Sequence, residues 1–129
     1  MTTAAQRYQQ TQVATSDRGR LLLLMFDGGL KFLAQARAGL EAGDLARFAH
    51  SLGRSQAVIA ELMHTLDHKA GGEIAANLER LYTFMLDHLV QANLEKSVRH
   101  VEQVHRLLDI IAGAYREILQ HGTPALDAA

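Results

Sequence analysis

Cysteine and tryptophan are both missing from this chain of 129 residues. With no thiol there is no disulfide and no thiolate chemistry, and the lack fits a reducing compartment. Proline appears once, at Pro124, and aromatic residues make up 5% of the chain. That composition points to helices around an aliphatic core rather than to a β-sandwich. Neither charge is in surplus: 13 Lys and Arg against 14 Asp and Glu leave a formal net charge of -1. Such a balance gives no electrostatic footprint for nucleic acid. Crossing a bilayer takes about 20 apolar residues, and the run from Leu21 to Phe26 is far shorter. The opening MTTAAQRYQQ is polar with no apolar h-region, so no signal peptide is expected and the protein reads as cytoplasmic. No Gly-x-Ser-x-Gly, P-loop or Gly-x-Gly-x-x-Gly occurs, so motifs offer neither a hydrolase nucleophile nor a phosphate cradle.

What is present is apolar residues at helical spacing, 48% of the chain, over a length that suits one domain with its own core. Capping residues mark the helix ends. TSD, from Thr15 to Asp17, supplies N-cap chemistry before the first apolar run. In AGD, Gly43 is a C-terminal stop and Asp44 the next N-cap. DHKAGG, from Asp67 to Gly72, reads as a loop, with Glu73 favouring the helix start that follows. Asn93 to Ser97 makes a weaker break with Ser97 as cap, and HGTP ends the last helix with Gly122 and Pro124. The pattern predicts helices over 17–42, 44–66, 72–93 and 97–120. Short connections favour antiparallel neighbours. The expected fold is all-α: an antiparallel up-down four-helix bundle over 16–121, a mobile N-terminal arm over 1–15 and a disordered tail over 122–129.

Each residue turns a helix by about 100°, which assigns faces. Leu45, Phe48, Leu52, Ile59, Leu62 and Leu66 share one face of the second helix. Val101, Val104, Leu108, Ile111, Tyr115 and Ile118 do so on the last. Both stripes have the width of an ordinary core face. The first helix carries more. Leu22, Phe26, Leu30, Leu33 and Leu40 form one face, flanked by Ala36, while Leu21, Leu24, Gly28 and Phe32 stand opposite with Met25 on the shoulder. On the third helix Ile74, Leu78, Leu81, Met85 and Leu89 make the core stripe, and Tyr82, Leu86, Val90 and Asn93 a second row. One small core cannot bury both faces of a helix. Either another part of the chain or a second copy, as a homodimer, covers the surplus, or it is a docking surface for an apolar partner. Gly28 favours a partner. A glycine inside a helix costs about 1 kcal/mol relative to Ala, and its missing side chain admits a partner's backbone. Large side chains left exposed there would form a bigger patch than soluble monomers usually keep.

Seven histidines raise a metal alternative. Glu61 with His64 and Glu102 with His105 are Glu-x-x-His pairs, the kind that builds di-metal sites inside helical bundles. By the same geometry Glu61, His64 and Glu102 point away from their core stripes, and His105 only flanks its own. Asp27 lies off the core centre of the first helix and Asp87 on the outside of the third. No metal or other cofactor is therefore expected. A binding protein is favoured over a di-metal enzyme.

Several motifs in register resemble the family of flagellin-specific export chaperones, the FliS family, from about Tyr8 to Glu117. YQQTQVATSD is similar to that family's N-terminal segment. LLLLMFDGGLKFLAQA resembles its first-helix signature, and AGD, SQAVIAELMHTLD, GGEIAANLERLYTFML and LVQANLEKS follow in family order. The chain departs from the family where Asp17-Arg18-Gly19-Arg20 stands in place of Ser-Pro-Glu-Glu, Phe26 in place of Tyr, and Tyr115 in place of Trp. The resemblance implies a cytoplasmic chaperone that holds the C-terminal segment of unpolymerised flagellin, prevents premature self-assembly and helps deliver it to the type III export gate, without ATP. A generic helical adaptor is the alternative. Coupled folding of a disordered client against an apolar groove would be the mechanism. Facing and resemblance together name Leu21, Leu24, Met25, Gly28 and Phe32 on the first helix and Tyr82, Leu86, Val90 and Asn93 on the third as the partner surface. Asn93 is expected to pair with client backbone. Tyr8, Gln12 and Val13 match the family's N-terminal segment, which the resemblance places over part of the groove when no client is bound.

Overall fold

A computed structural model describes residues 3–4, 17–121 and 128–129. The long described stretch holds α1 (Asp17–Glu41), α2 (Leu45–His64), α3 (His68–Glu95) and α4 (Val98–His121). Local chemistry sets their ends. α1 stops at Gly43, whose φ of 70° lies in the left-handed region. There the Gly43 N–H donates to Leu40 O at 3.1 Å and the Asp44 N–H to Gly39 O at 2.8 Å. These paired reverse bonds satisfy the last carbonyls of the helix. Asp44 then caps α2, its Oδ1 accepting from the Arg47 N–H at 3.1 Å. Asp67 caps α3 in the same way, accepting from the Ala70 N–H at 3.0 Å. α3 begins earlier than the predicted start at 72, and Gly72, at φ 52° and ψ -127°, kinks it just after its first turn. Lys96 ends α3 as a left-handed residue with φ 52°, and Ser97 Oγ opens α4 by accepting from the His100 N–H at 3.2 Å. α1 packs on α2 and α4, and α3 packs on the same two helices from the other side. This is the antiparallel up-down four-helix bundle.

The seams follow a repeat that large residues alone do not reveal. α1 buries Gly19, Leu22, Phe26, Gly29, Leu33, Ala36 and Gly39, and α3 buries Ala75, Leu78, Tyr82, Met85, Leu89 and Ala92. Most steps alternate between three and four residues, the spacing of helices that interlock along their length. Small residues take many of these positions and let the backbones close in. A Cβ at Gly29 would stand 3.0 Å from Leu108 Cδ2 and 3.3 Å from Val58 Cγ1. One at Gly39 would stand 2.8 Å from the backbone N of Phe48.

Faces assigned from large residues are therefore rotated slightly off the true seams. Tyr82, expected on an outer row, is 1% exposed and belongs to the core. Ile74, Leu81, Leu30 and Leu40, expected inside, are only partly buried against the core. Leu45 is 55% exposed because it is the first residue after the α2 cap, ahead of the first seam position at Phe48. Leu119 rather than Ile118 closes the seam of α4. Phe26 meets Tyr115 across α1 and α4 with ring centroids 5.1 Å apart. Burial first, and then the nearby Tyr115, push the Tyr82 phenol well above the ordinary tyrosine value.

Residues of the expected N-terminal arm other than 3–4 lie outside the described residues, and so do 122–127. Ala129, expected in a disordered tail, is instead fully buried, with its backbone O accepting from the Asp67 N–H at 2.8 Å.

Candidate functional site

The flanks of α1 differ in character. Toward α4 it is polar: Arg116 Nη2 donates to Asp27 Oδ1 at 2.7 Å, and Arg37 Nη2 lies 3.1 Å from Glu102 Oε1. Arg37 Nε also donates to Glu41 at 2.6 Å. The Glu41 hydrogen bond, followed by the charge of Glu102, holds the Arg37 guanidinium above its ordinary value. Exposed pairs of this kind add little stability, but they occupy the flank. A cleft of about 310 Å³ on this side is lined by Arg37, Glu102 and His105 among others, and Arg37 and Glu102 already bind each other.

Toward α2 the flank of α1 is apolar. A cleft of about 410 Å³ lies between the two helices, lined by Leu21, Met25, Ala57, Val58 and Thr65, with the charged Arg54 and Glu61 also on its wall. The Arg54 guanidinium stands 5.4 Å from the centroid of Phe32, a cation–π arrangement that covers one face of that ring. Val58 is also the neighbour that Gly29 makes room for. Close packing of α1 on α2 below thus fixes the floor of an open apolar groove above.

The expected partner surface maps onto this side only in part. Leu21 is 55% and Leu24 69% exposed. Met25 and Phe32 are half-buried. Gly28 is half-buried too, and a Cβ added there would meet nothing within 4 Å. On α3, Val90 is 48% exposed and Leu86 half-buried. Asn93 is exposed, but its Oδ1 accepts from Lys96 Nζ at 3.0 Å, which ties the group expected to meet client backbone. Tyr82 is not available at all: at 1% exposure it lies under the row it was expected to join. Tyr8, Gln12 and Val13 fall outside the described residues.

α2 stands between the rows. α1 meets it through the Arg54–Phe32 contact, and α3 through Thr83, whose Oγ1 lies 3.6 Å from Met63 Sδ. Leu86 and Val90 continue from Thr83 at helical spacing, on the same side of α3. The crest of α2 between these rows carries Ala46, Ala49, Gly53 and Ala57, all exposed. A Cβ at Gly53 would likewise meet nothing within 4 Å. The arrangement is a low saddle of small residues with a partly exposed apolar row on each side. Stripe-by-stripe reading for large residues missed this crest. The signal that would have found it is Ala49, Gly53 and Ala57 at steps of four.

The Glu-x-x-His pairs do not converge in the core. His64 lies 3.9 Å from Glu61 on the surface, with side-chain exposures of 75% and 69%. Glu102 is engaged by Arg37. The histidines that do come together are His88 and His100, ring centroids 4.3 Å apart across the α3–α4 seam. His88 Nε2 pairs with Gln103, and His100 Nδ1 with Ser97 Oγ at 2.7 Å. Among the described residues, no group of three or more His, Cys, Asp or Glu is arranged to hold an ion. Nor is any helix there long and apolar enough to cross a membrane.

A family model described as flagellar protein FliS matches residues 1–122. The chain belongs to the FliS family. It is 37% identical over 109 residues to the flagellar secretion chaperone FliSB of Pseudomonas aeruginosa, covering 81% of this chain and 86% of that protein. To the flagellar secretion chaperone FliS of Salmonella typhimurium it is 36% identical over 115 residues, covering 88% and 85%. To that of Bacillus subtilis the identity is 31% over 113 residues, covering 88% and 84%. FliS membership accounts for motifs in register along the whole helical stretch.

Proposed function

We propose that this FliS-family protein is a cytoplasmic secretion chaperone, and not an enzyme, that holds the C-terminal segment of unpolymerised flagellin and helps deliver it to the flagellar export gate. The observation that carries the reading is the apolar saddle around α2 in a chain matched to the family over residues 1–122. A flagellin segment that is disordered when free would order as an amphipathic helix, with its apolar face against Leu21, Leu24, Met25 and Phe32 and across the small residues of α2. The same apolar face is what flagellin needs for self-assembly, so binding would suppress polymerisation without ATP. Arg54 and Glu61 offer charge of each sign beside the cleft to fix the segment's direction.

Calorimetry with circular dichroism on mixed purified partners tests the reading. The expected result is a one-to-one complex with a negative heat-capacity change and a gain in helicity, the signature of coupled folding. Flagellin lacking its C-terminal segment should not bind. Equal binding by the truncated flagellin would overturn the assignment.

A further inference from the structure

At the corner between α2 and α3, the N–H groups of Thr65 and Leu66 stay within the end of α2, donating to Glu61 and Leu62 and to Met63. The N–H of Asp67 goes elsewhere, to Ala129 O at 2.8 Å. Ala129 is fully buried and belongs to the hydrophobic core cluster together with Ala75. The fit is closest at Gly71. A Cβ there would stand 2.6 Å from Ala129 Cα, 2.9 Å from Ala129 Cβ and 2.9 Å from Ala75 Cβ. Gly71 and Gly72 are therefore glycines for separate reasons. Gly72 has the positive φ of 52°, whereas Gly71 does not and is required by the approach of Ala129 on one side and Ala75 on the other.

We propose that Ala129 is a latch. The Asp67 N–H, Gly71 and Ala75 form a notch that takes one small residue from the chain beyond α4, and its docking locks the α2–α3 corner. The methyl group fills the apolar half of the notch and the backbone oxygen satisfies an N–H that neither helix uses. Thr65, two residues before Asp67, lines the α1–α2 cleft, so the latch also steadies that part of the cleft wall. The latch holds whatever the cleft binds, and its test needs no partner.

Amide hydrogen exchange followed by NMR on the full chain reads the latch directly. In the natural chain the Asp67 amide should be protected. In Ala129→Glu, whose side chain cannot enter the notch, it should exchange about tenfold or more faster, from the loss of one hydrogen bond and one buried methyl. Gly71→Ala is a second variant. Its Cβ would stand 2.6 Å from Ala129 Cα and 2.9 Å from Ala75 Cβ, so it crowds the notch, expels Ala129 and should also lower protection of Asp67. Amides in the middle of α1 and α4 should be unchanged in both variants. The proposal is overturned if Asp67 exchanges as an open amide in the natural chain. It is equally overturned if its exchange is unchanged in Ala129→Glu, or if Gly71→Ala slows it.

Discussion

At the scale of single residues, neighbours in sequence have opposite duties. Gly28 and Gly29 are adjacent, yet a side chain at Gly28 meets open space while one at Gly29 runs into Leu108 and Val58. Gly28→Ala should raise stability by about 1 kcal/mol through helix propensity, and Gly29→Leu should lower it by about 1–3 kcal/mol through overpacking. Denaturant melts of both variants check the pair, and equal effects would mean that the face of α1 is misassigned. Tyr82 makes a second residue-scale case. Because burial raises its folded pKa above the ordinary value of the unfolded chain, the folded state keeps its proton longer. Stability is then intact below about pH 10 and falls as pH rises beyond it, by up to about 1.4 kcal/mol per pH unit for this one group. Thermal melts across that alkaline range should show a shallower decline for Tyr82→Phe. Identical declines would contradict the burial of the phenol. Gly28 was legible as an open glycine because its neighbours in the row were large. Tyr82 was not legible as core, because a row drawn through Leu78, Leu81 and Met85 puts it only one step off centre.

At the scale of elements, helix ends were more legible than helix faces. A cap is a local event: Asp44 must accept from an N–H three residues on, and Gly43 must supply a left-handed turn, so both are written within a few residues. Asp44→Ala should cost about 1 kcal/mol by removing that acceptor. Chemical denaturation is the measurement, and Asp44→Asn, which keeps the acceptor, should recover most of the loss. A seam is a non-local event, since its centre depends on where the neighbouring helix lies. Seam positions at Gly19, Gly29, Ala75 and Ala92 carry no hydrophobic signal of their own, so they surface only when α2 and α4 are in place. The exception among the ends is α3, where Asp67 begins the helix ahead of the kink at Gly72. The Ala129 contact that sits on that corner comes from the far end of the chain, and no local pattern announces it.

At the scale of the molecule, the bundle uses the sides of α1 for separate purposes. Ion pairs with Arg116 and Glu102 tie it to α4, while toward α2 it leaves an apolar cleft open. The expectation of surplus apolar surface on the first and third helices therefore holds for Leu21, Leu24 and Val90. Its geometry differs from a single groove between those helices, because α2 separates the rows and contributes the small-residue crest. Topology decides this, since spacing along one helix does not say which neighbour stands beside it. The most direct test of the account is a calorimetric titration of flagellin into Leu24→Lys. Leu24 is 69% exposed and Lys is a good helix former, so the variant should melt like the natural protein. Losing one buried Leu contact should weaken flagellin binding by roughly ten- to hundredfold. A folded Leu24→Lys variant that binds flagellin with unchanged affinity would contradict the claim that the apolar saddle around α2 is the client site.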